Sequence, residues 1–226
     1  MTITYHNDLI QGSDEWHAAR CGLLTASEVK LILTPTLKVA NNDKTRAHVW
    51  ELLAQRLTRY VEPSYIGDAM LRGWRDEILA RDLYSQHYAP VTEAGFITND
   101  QWGFTLGYSP DGLVGNDGLI ECKSRAQKFQ IQTIAENEVP DEFMLQLQTG
   151  LLVTGRKWVD FISYSGGLPM FVKRVLPDRV MQEAIIDAAT AFELTLAVRK
   201  TDFDHGIDAM PVVIETERHV EQEMMV

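Results

Sequence analysis

The sequence is poor in the residues that build disulfide and zinc frameworks, and it has no long apolar run. Its 226 residues include two cysteines, Cys21 and Cys122, and six histidines without ligand spacing. This composition excludes a disulfide-rich secreted fold and argues against a histidine-based metal site. No apolar run approaches the roughly 18 residues of a membrane span, and the first residues lack the pattern of a signal peptide. We therefore expect a cytoplasmic protein with no membrane contact.

The sequence also lacks the basic excess that is common in nucleic-acid-binding proteins. Its formal net charge of −11 by itself argues against a polyanionic partner. The charge is unevenly distributed, because residues 201–226 contain seven acids and one base, whereas residues 20–59 contain seven bases and three acids. An acidic exterior with basic charge on one inner face fits this distribution. Lys38 and Arg46 are candidates for that basic face.

Helical and strand periodicities follow one another along the chain. Helices are predicted over 13–22, from Thr25 onward, and over 43–60, 67–87, 140–153 and 178–199, and strands at AGFIT, GFTLGYS, DGLVG, LIECK, WVDFISYS and MFVKRVL. This order favours a mixed α/β fold with α+β character. We expect one domain over residues 1–226, with N-terminal helices (12–60), a core (67–175), a C-terminal helix (177–199) and an acidic tail (200–226).

One stretch, YSPDGLVGNDGLIECKS at 108–124, places three charges on a predicted β-hairpin. A three-residue loop at 116–118, with its glycine in the left-handed conformation, pairs 111 with 123 and 113 with 121. Since side chains alternate between the faces of a strand, Asp111, Glu121 and Lys123 then share one face. A two-residue loop would instead put the two carboxylates on opposite faces.

Each of these features also has an ordinary structural explanation. SPDG is common turn chemistry, and Glu121 with Lys123 could form an exposed edge. Their combination, with Ile120 and Cys122 facing inward, predicts that Asp111 and Glu121 converge on one divalent cation. We expect both carboxylates to face the surface and to add little to the core. The PD…ExK pattern resembles the PD-(D/E)xK nuclease superfamily.

A second motif resembles a narrower family. The stretch GSDEWHAARCGLLTASEV is similar to the N-terminal motif of the phage lambda exonuclease family (viral recombinase, YqaJ-like). The segments GWRDEILARDLY, SPDG with Glu-x-Lys ten residues later, and FMLQLQTGLLVTG follow in the family's order. The resemblance covers residues 12–165. It departs from the family pattern at 34–42, in GWRDE and after residue 200. The matching motif positions are Trp16, Arg20, Gly22, Thr25, Ser27 and Glu28.

This resemblance implies a restriction-endonuclease-like core, a central mixed β-sheet flanked by helices. It also implies a Mg²⁺-dependent 5′→3′ exonuclease, with Mn²⁺ as a possible substitute, that degrades one strand of duplex DNA from 5′-phosphorylated ends. The metal ligands would be Asp111, Glu121 and the backbone carbonyl of Cys122. Lys123 would orient or deprotonate the attacking water, and Glu77 would be the helix acid behind the metal site.

A separate group of residues is predicted to bind the 5′-phosphate. Arg20 at the end of one helix and Ser27 in the first turn of the next would form an anion pocket, because helix N–H groups favour a phosphate. A surface arginine and a helix-start serine are the alternative. The resemblance adds Ser109 and Gln146 as phosphate ligands, and Gln148 is an alternative to Gln146. Trp16 is predicted to pack in the core.

The resemblance further implies three properties of the assembly and its setting. These are a ring-shaped homotrimer, double-stranded DNA ends as substrate, and a phage single-strand annealing protein as partner in a bacterial cell. Two other functions stay open. One is a structure-specific endonuclease of the same fold, and the other is a non-catalytic protein that binds DNA ends.

Overall fold

The computed structural model describes residues 2–63 and 67–218, and these form helices and strands in mixed order. The α-helices are α1 (Asp14–Arg20), α2 (Asp43–Thr58), α3 (Asp68–His87), α4 (Gln127–Glu136), α5 (Asp141–Thr154) and α6 (Arg179–Asp208). The strands are β1 (Ile3–His6), β2 (Leu24–Thr25), β3 (Phe96–Asn99), β4 (Leu106–Tyr108), β5 (Gly112–Val114), β6 (Gly118–Ser124), β7 (Trp158–Tyr164) and β8 (Phe171–Val175). This confirms the predicted mixed α/β class.

Strand pairing divides the predicted sheet into two sheets of four strands. The first has the order β1-β3-β4-β2 and the second β5-β6-β7-β8. Both are mixed, because β2–β4 and β6–β7 are parallel pairs and the remaining pairs are antiparallel. Strand β6 is therefore interior to its sheet, with β5 on one side and β7 on the other.

The hairpin between β5 and β6 has the predicted loop length but a different register. Val114 pairs with Gly118 and Leu113 with Leu119, so the three-residue loop is 115–117. Gly115, with φ of 53°, takes the left-handed conformation that was predicted for Gly118. Gly118 instead lies against Trp158, whose ring would be 2.2 Å from an added Cβ. The register moves by two positions, and an even shift leaves every side chain on its predicted face.

The predicted helix from Thr25 is wrong. The capping interaction does form, because the Thr25 backbone N–H donates to Glu28 Oε2 at 2.9 Å. However, Thr25 is paired in β2 opposite Gly107, and the chain then makes only a short 3₁₀ turn at Val29–Leu31. Pro35 follows soon after and cannot continue a helix.

Two further differences concern elements that were missed or ended too early. Helix α4 and the strands β1 and β2 were not predicted. Helix α6 continues nine residues beyond the predicted end at 199, to Asp208. Ion pairs at helical spacing support this extension, Arg199 with Asp202 and Lys200 with Asp204. The end of the predicted acidic tail, residues 219–226, lies outside the described residues.

Packing places the main apolar core between both sheets, α2, α5 and α6. A smaller cluster lies between α3 and β6 and includes Ala80, Tyr84, Ile120 and Cys122. This second cluster confirms that Ile120 and Cys122 face inward. Among the described helices, none combines the length and the apolar character that crossing a membrane requires.

Candidate functional site

Asp111 lies in the turn between β4 and β5, and its carboxylate points at the backbone of β6. Oδ2 accepts a hydrogen bond of 2.5 Å from the N–H of Cys122. The residue is only 7% exposed. A backbone N–H of an interior strand is a rigid donor, so this carboxylate has a fixed place beside the hairpin.

Glu121 occupies the middle of β6 and is 2% exposed. Its Oε2 accepts a hydrogen bond of 2.7 Å from the hydroxyl of Tyr108. Its Oε1 accepts two bonds of 2.6 Å, from Lys123 Nζ and from Gln146 Nε2. Three elements, β4, β6 and α5, thus converge on one carboxylate.

The prediction that these carboxylates face the surface is wrong. Asp111, Glu121 and Lys123 do lie together, as the alternation of the strand predicted, but both acids are buried. Burial follows from the position of β6 inside the sheet and from α5, which covers this face through Gln146. An alanine at either acid would leave buried donors without an acceptor, which costs stability.

Burial and mutual repulsion shift the ionisation of this cluster. The pKa of Asp111 is raised well above its usual value by burial, and then by the charges of Glu121 and Glu77. Burial also raises the pKa of Glu77 on α3, and Glu121 adds to this effect, whereas a hydrogen bond with Asp111 opposes it. Glu77 therefore belongs to the same cluster.

Lys123 forms an ion pair with one of these acids, Glu121, at 2.6 Å. Burial alone would lower the pKa of its ammonium group, but Glu121, Asp111 and Glu77 together outweigh burial and raise it. The lysine is therefore charged at neutral pH. Lys123 and, at Glu77, Arg81 do not balance the three carboxyl groups. Burial is the main cause of the raised pKa values of Asp111 and Glu77, and repulsion by the neighbouring carboxylates adds to it.

The donor set suits a hard divalent cation. Carboxylate and carbonyl oxygens are the ligands that Mg²⁺ prefers, and it retains several waters besides. Among residues 2–63 and 67–218, no group of three or more histidine, cysteine, aspartate or glutamate side chains is arranged to hold a metal. The residues that could hold such a cation are the two carboxylates Asp111 and Glu121, together with a backbone carbonyl and water.

A second polar cluster surrounds Arg20 at the end of α1. Its guanidinium donates to the hydroxyls of Ser109 and Thr25, at 3.2 Å each, and lies 4.3 Å from the ring centroid of Trp16. The indole of Trp16 also donates to Ser109 at 2.9 Å. Trp16 is half-buried and belongs to this cluster, so its predicted core position is wrong.

Ser27 lies beside this cluster, although in a different backbone context from the predicted one. Its hydroxyl is 3.2 Å from that of Thr25. Because no α-helix begins at Thr25, the predicted helix N-terminus does not contribute to an anion pocket. What remains is the Arg20 guanidinium with hydroxyl groups around it. Burial lowers its pKa, and the charge of Glu28 opposes this effect only in part.

The two glutamines of α5 have different environments. Gln148 is fully buried and joins α5 to the start of α6, because it donates to the carbonyl of Leu176 and accepts from the N–H of Asp178, at 2.8 Å each. Gln146 lies at the carboxylate cluster, bonded to Glu121. Its predicted role as a phosphate ligand stays a prediction.

Within residues 2–63 and 67–218, neither of the two predicted DNA-channel residues forms a hydrogen bond with the carboxylate cluster or the Arg20 cluster. Arg46 bonds to Asp43 and Asn41 near the start of α2, and it borders a cavity of about 380 Å³ between α2 and α6. Lys38 is exposed in the loop before α2. Their role in a channel stays a prediction.

Sequence reasoning missed Tyr108, which binds Glu121. The available signal was its place at the end of a short apolar strand, directly before SPDG, since a buried tyrosine hydroxyl needs a hydrogen-bond partner. Arg81 was missed as well. Its guanidinium approaches the backbone carbonyl of Asp111 at 3.4 Å and pairs with Glu93 at 3.1 Å.

Comparison with known proteins identifies the family of this chain. Residues 15–157 match the model of the YqaJ-like viral recombinase domain. The chain belongs to this family. Among curated proteins, none matches it significantly.

Solved structures agree with this assignment. An alkaline exonuclease from Laribacter hongkongensis is 34% identical, with a TM-score of 0.76 over 86% of this chain and 97% of the other. The same enzyme in complex with dAMP is 35% identical, with a TM-score of 0.77 and the same coverage. A phage-related exonuclease from Haemophilus somnus 129PT, 11% identical, covers 79% of this chain and 96% of its own with a TM-score of 0.54, and shares the fold.

The raised pKa of Asp111 predicts a pH dependence of folding. A carboxyl with a raised folded-state pKa contributes stability that is fully present below its unfolded pKa of about 4 and is lost as pH rises through the folded value. In chelator, the wild type should therefore lose stability with rising pH relative to Asp111→Asn, whose amide oxygen can still accept from Cys122. Urea unfolding from about pH 4 to about pH 9 measures this difference.

Asp117→Asn is the matched control, because it makes the same change in the exposed loop of the same hairpin, where Asp117 pairs with Lys157 at 2.9 Å. The free energy of unfolding of Asp117→Asn should change with pH in the same way as that of the wild type. Parallel curves for the wild type and Asp111→Asn would contradict the buried-charge interpretation.

Proposed function

We propose that this protein is a Mg²⁺-dependent exonuclease that degrades one strand of linear duplex DNA from a 5′-phosphorylated end. Its product would be a 3′ single-stranded overhang for phage recombination by strand annealing. One observation carries the proposal. Glu121 is buried and pairs with Lys123 on one face of β6, and the buried Asp111 accepts from the Cys122 N–H between them. The chain is 34% identical to an alkaline exonuclease.

The residues of the cluster have separate tasks in this reaction. Asp111 and Glu121 would hold the metal, with the Cys122 carbonyl as a further ligand. A divalent cation bound there lowers the pKa of water and offsets charge on the phosphoryl group. Lys123, charged and held by Glu121, orients the attacking water through its N–H groups. Glu77 adds negative charge that strengthens cation binding.

The Arg20 cluster supports recognition of a terminal phosphate. Guanidinium and hydroxyl donors bind a dianionic phosphate far better than an uncharged hydroxyl. Arg20, Ser109 and Ser27 would therefore select 5′-phosphorylated ends, with Gln146 between the phosphate and Glu121. This arrangement orients the strand and gives the proposed 5′→3′ direction.

Assembly into a ring would reconcile the net charge with DNA binding. Backbone binding depends on phosphate neutralisation by Lys and Arg, yet the chain carries −11. A homotrimeric ring turns basic residues inward, with Lys38 and Arg46 as candidates, and keeps the acidic surface outside. Part of this basic charge is balanced within the chain, since Arg56 forms a bidentate pair with Glu193 at 2.6 and 2.7 Å. A phage annealing protein is the proposed partner.

The first test of this function follows cleavage of linear duplex DNA labelled at either end. With Mg²⁺, label at the 5′ end should be released first, and chelator should abolish release. Asp111→Asn should reduce the rate at least about 100-fold, because a metal ligand is lost, whereas Asp117→Asn should keep the wild-type rate. A circular plasmid that is cut would favour the endonuclease. Binding to ends without any cleavage would favour the non-catalytic alternative.

The second test compares 5′-phosphorylated with 5′-hydroxyl ends. The wild type should digest phosphorylated ends much faster than hydroxyl ends. Arg20→Gln should lower the ratio of these two rates by roughly tenfold, which is the effect of one charge-assisted contact of about 1.5 kcal/mol. Arg179→Gln, at an exposed arginine at the start of α6, should leave the gap unchanged. Equal initial rates on both ends by the wild type would remove the proposed role of Arg20 and Ser27.

The third test concerns the ring. Sedimentation equilibrium at micromolar concentration should give the mass of three chains. Digestion should continue after a competitor-DNA trap is added to loaded enzyme, because a closed ring retains its strand. A species with the mass of one chain that stops when the trap is added would overturn the ring.

A further inference from the structure

Helix α5 reaches Glu121 at two points that are one helical turn apart. Gln146 contacts it directly, with 2.6 Å from Nε2 to Oε1. Gly150, four residues later, lies against the ring of Tyr108, whose hydroxyl donates to Oε2 of the same glutamate at 2.7 Å. Residues i and i+4 share one helix face, so α5 controls both oxygens of this carboxylate.

Gly150 is the residue that admits the tyrosine. A Cβ at this position would lie 2.7 Å from Cζ of Tyr108 and 2.9 Å from Cε1, closer than side chains approach one another. Both residues are fully buried, so the ring has little room to withdraw. Glycine is unfavourable within a helix interior, and close packing of Tyr108 on the α5 backbone accounts for it here.

The two oxygens of Glu121 differ in their remaining acceptor capacity. A carboxylate oxygen accepts about two hydrogen bonds. Oε1 already accepts two, from Lys123 and Gln146, whereas Oε2 accepts one, from Tyr108. Oε2 is therefore the oxygen with capacity left for a cation, and Tyr108 is the group that fixes its orientation.

We propose that Tyr108 is a positioning residue for the metal site, and that Gly150 sets the place of its ring. The hydroxyl holds the Glu121 carboxylate in one orientation before a cation binds, so less ordering is needed on binding. This inference rests on the proposed function, because it assumes that Glu121 is a metal ligand. It adds two residues that do not themselves touch metal or DNA.

Tyr108→Phe removes only the hydroxyl, and thermal unfolding over a Mg²⁺ titration measures the result without DNA. The half-saturating Mg²⁺ concentration, which is the dissociation constant fitted to the rise of unfolding temperature with Mg²⁺, should increase about tenfold, a usual cost of losing a group that orients a ligand. In DNA digestion, kcat at fixed Mg²⁺ should fall while KM for DNA is unchanged, and excess Mg²⁺ should restore part of the rate.

Tyr84→Phe is the matched control. Tyr84 is an equally buried tyrosine whose hydroxyl donates to a buried carboxylate, Asp160, at 2.6 Å. It packs against Ile120 and Cys122, on the face of β6 opposite to Glu121. Its loss should lower the unfolding temperature and leave the half-saturating Mg²⁺ concentration unchanged. The comparison separates the loss of any buried hydrogen bond from the loss of this one.

Gly150→Ala tests the second half of the proposal through a double-mutant cycle. Alone, it should raise the half-saturating Mg²⁺ concentration, because the added methyl group displaces the ring and its hydroxyl. Combined with Tyr108→Phe it should add much less, since the hydroxyl is already absent. Independent effects would show that Gly150 does not act through Tyr108.

The outcomes separate this inference from the function on which it rests. A wild type without any Mg²⁺-induced stabilisation would overturn the metal site and the inference together. A wild type that responds to Mg²⁺, with Tyr108→Phe responding at the same concentrations, would overturn the inference alone. If Gly150→Ala does not fold, Tyr108→Phe and Tyr84→Phe still decide the role of the tyrosine.

Discussion

The burial of two carboxylates side by side is the constraint on which the rest of the site depends. Like charges in a low-dielectric interior repel strongly, and each must be hydrogen-bonded to remain there at all. Asp111 is held by a backbone N–H of β6, and Glu121 by donors from β4, β6 and α5. The two mixed sheets and the helix over them bring these donors to one place, so a shift of α5 or β4 would disturb the site.

The face shared by Asp111, Glu121 and Lys123 was predictable because it depends only on the alternation of side chains along a strand. The exact pairing was not, since Gly115 and Gly118 both satisfy turn chemistry, and the choice depends on the Trp158 ring from a strand forty residues later. The predicted face of each side chain was still correct, because the register moved by two residues. The family assignment likewise depended on local motifs, which a sequence displays directly.

Burial and long-range partners were beyond sequence patterns. Helix α4 buries Gln130 and Thr133 while it exposes Phe129 and Ile131, so its polarity is the reverse of the usual amphipathic signal. Gln130 can be buried because Ser163 and the carbonyl of Pro169 satisfy its amide, and no local pattern reveals those contacts. Tyr108 was missed for the same reason, since its importance follows from Glu121, thirteen residues away and on another sheet.

Another buried carboxylate on the same sheet differs from the acids of the proposed metal site in how its charge is balanced. Asp160 on β7 is nearly as buried as Glu121, but Tyr84 and a bidentate Arg174 satisfy it at 2.6 to 2.9 Å. The negative charge of Asp160 is balanced by the positive charge of Arg174, so no further cation is needed there. Around Asp111 and Glu121 there is a third acid, Glu77, and these three carboxyl groups exceed the nearby cations, Lys123 and Arg81. Burial, and then the charges of Glu121 and Glu77, raise the pKa of Asp111. Evenly balanced charge serves the fold, whereas a buried excess of one sign costs stability until a cation offsets it.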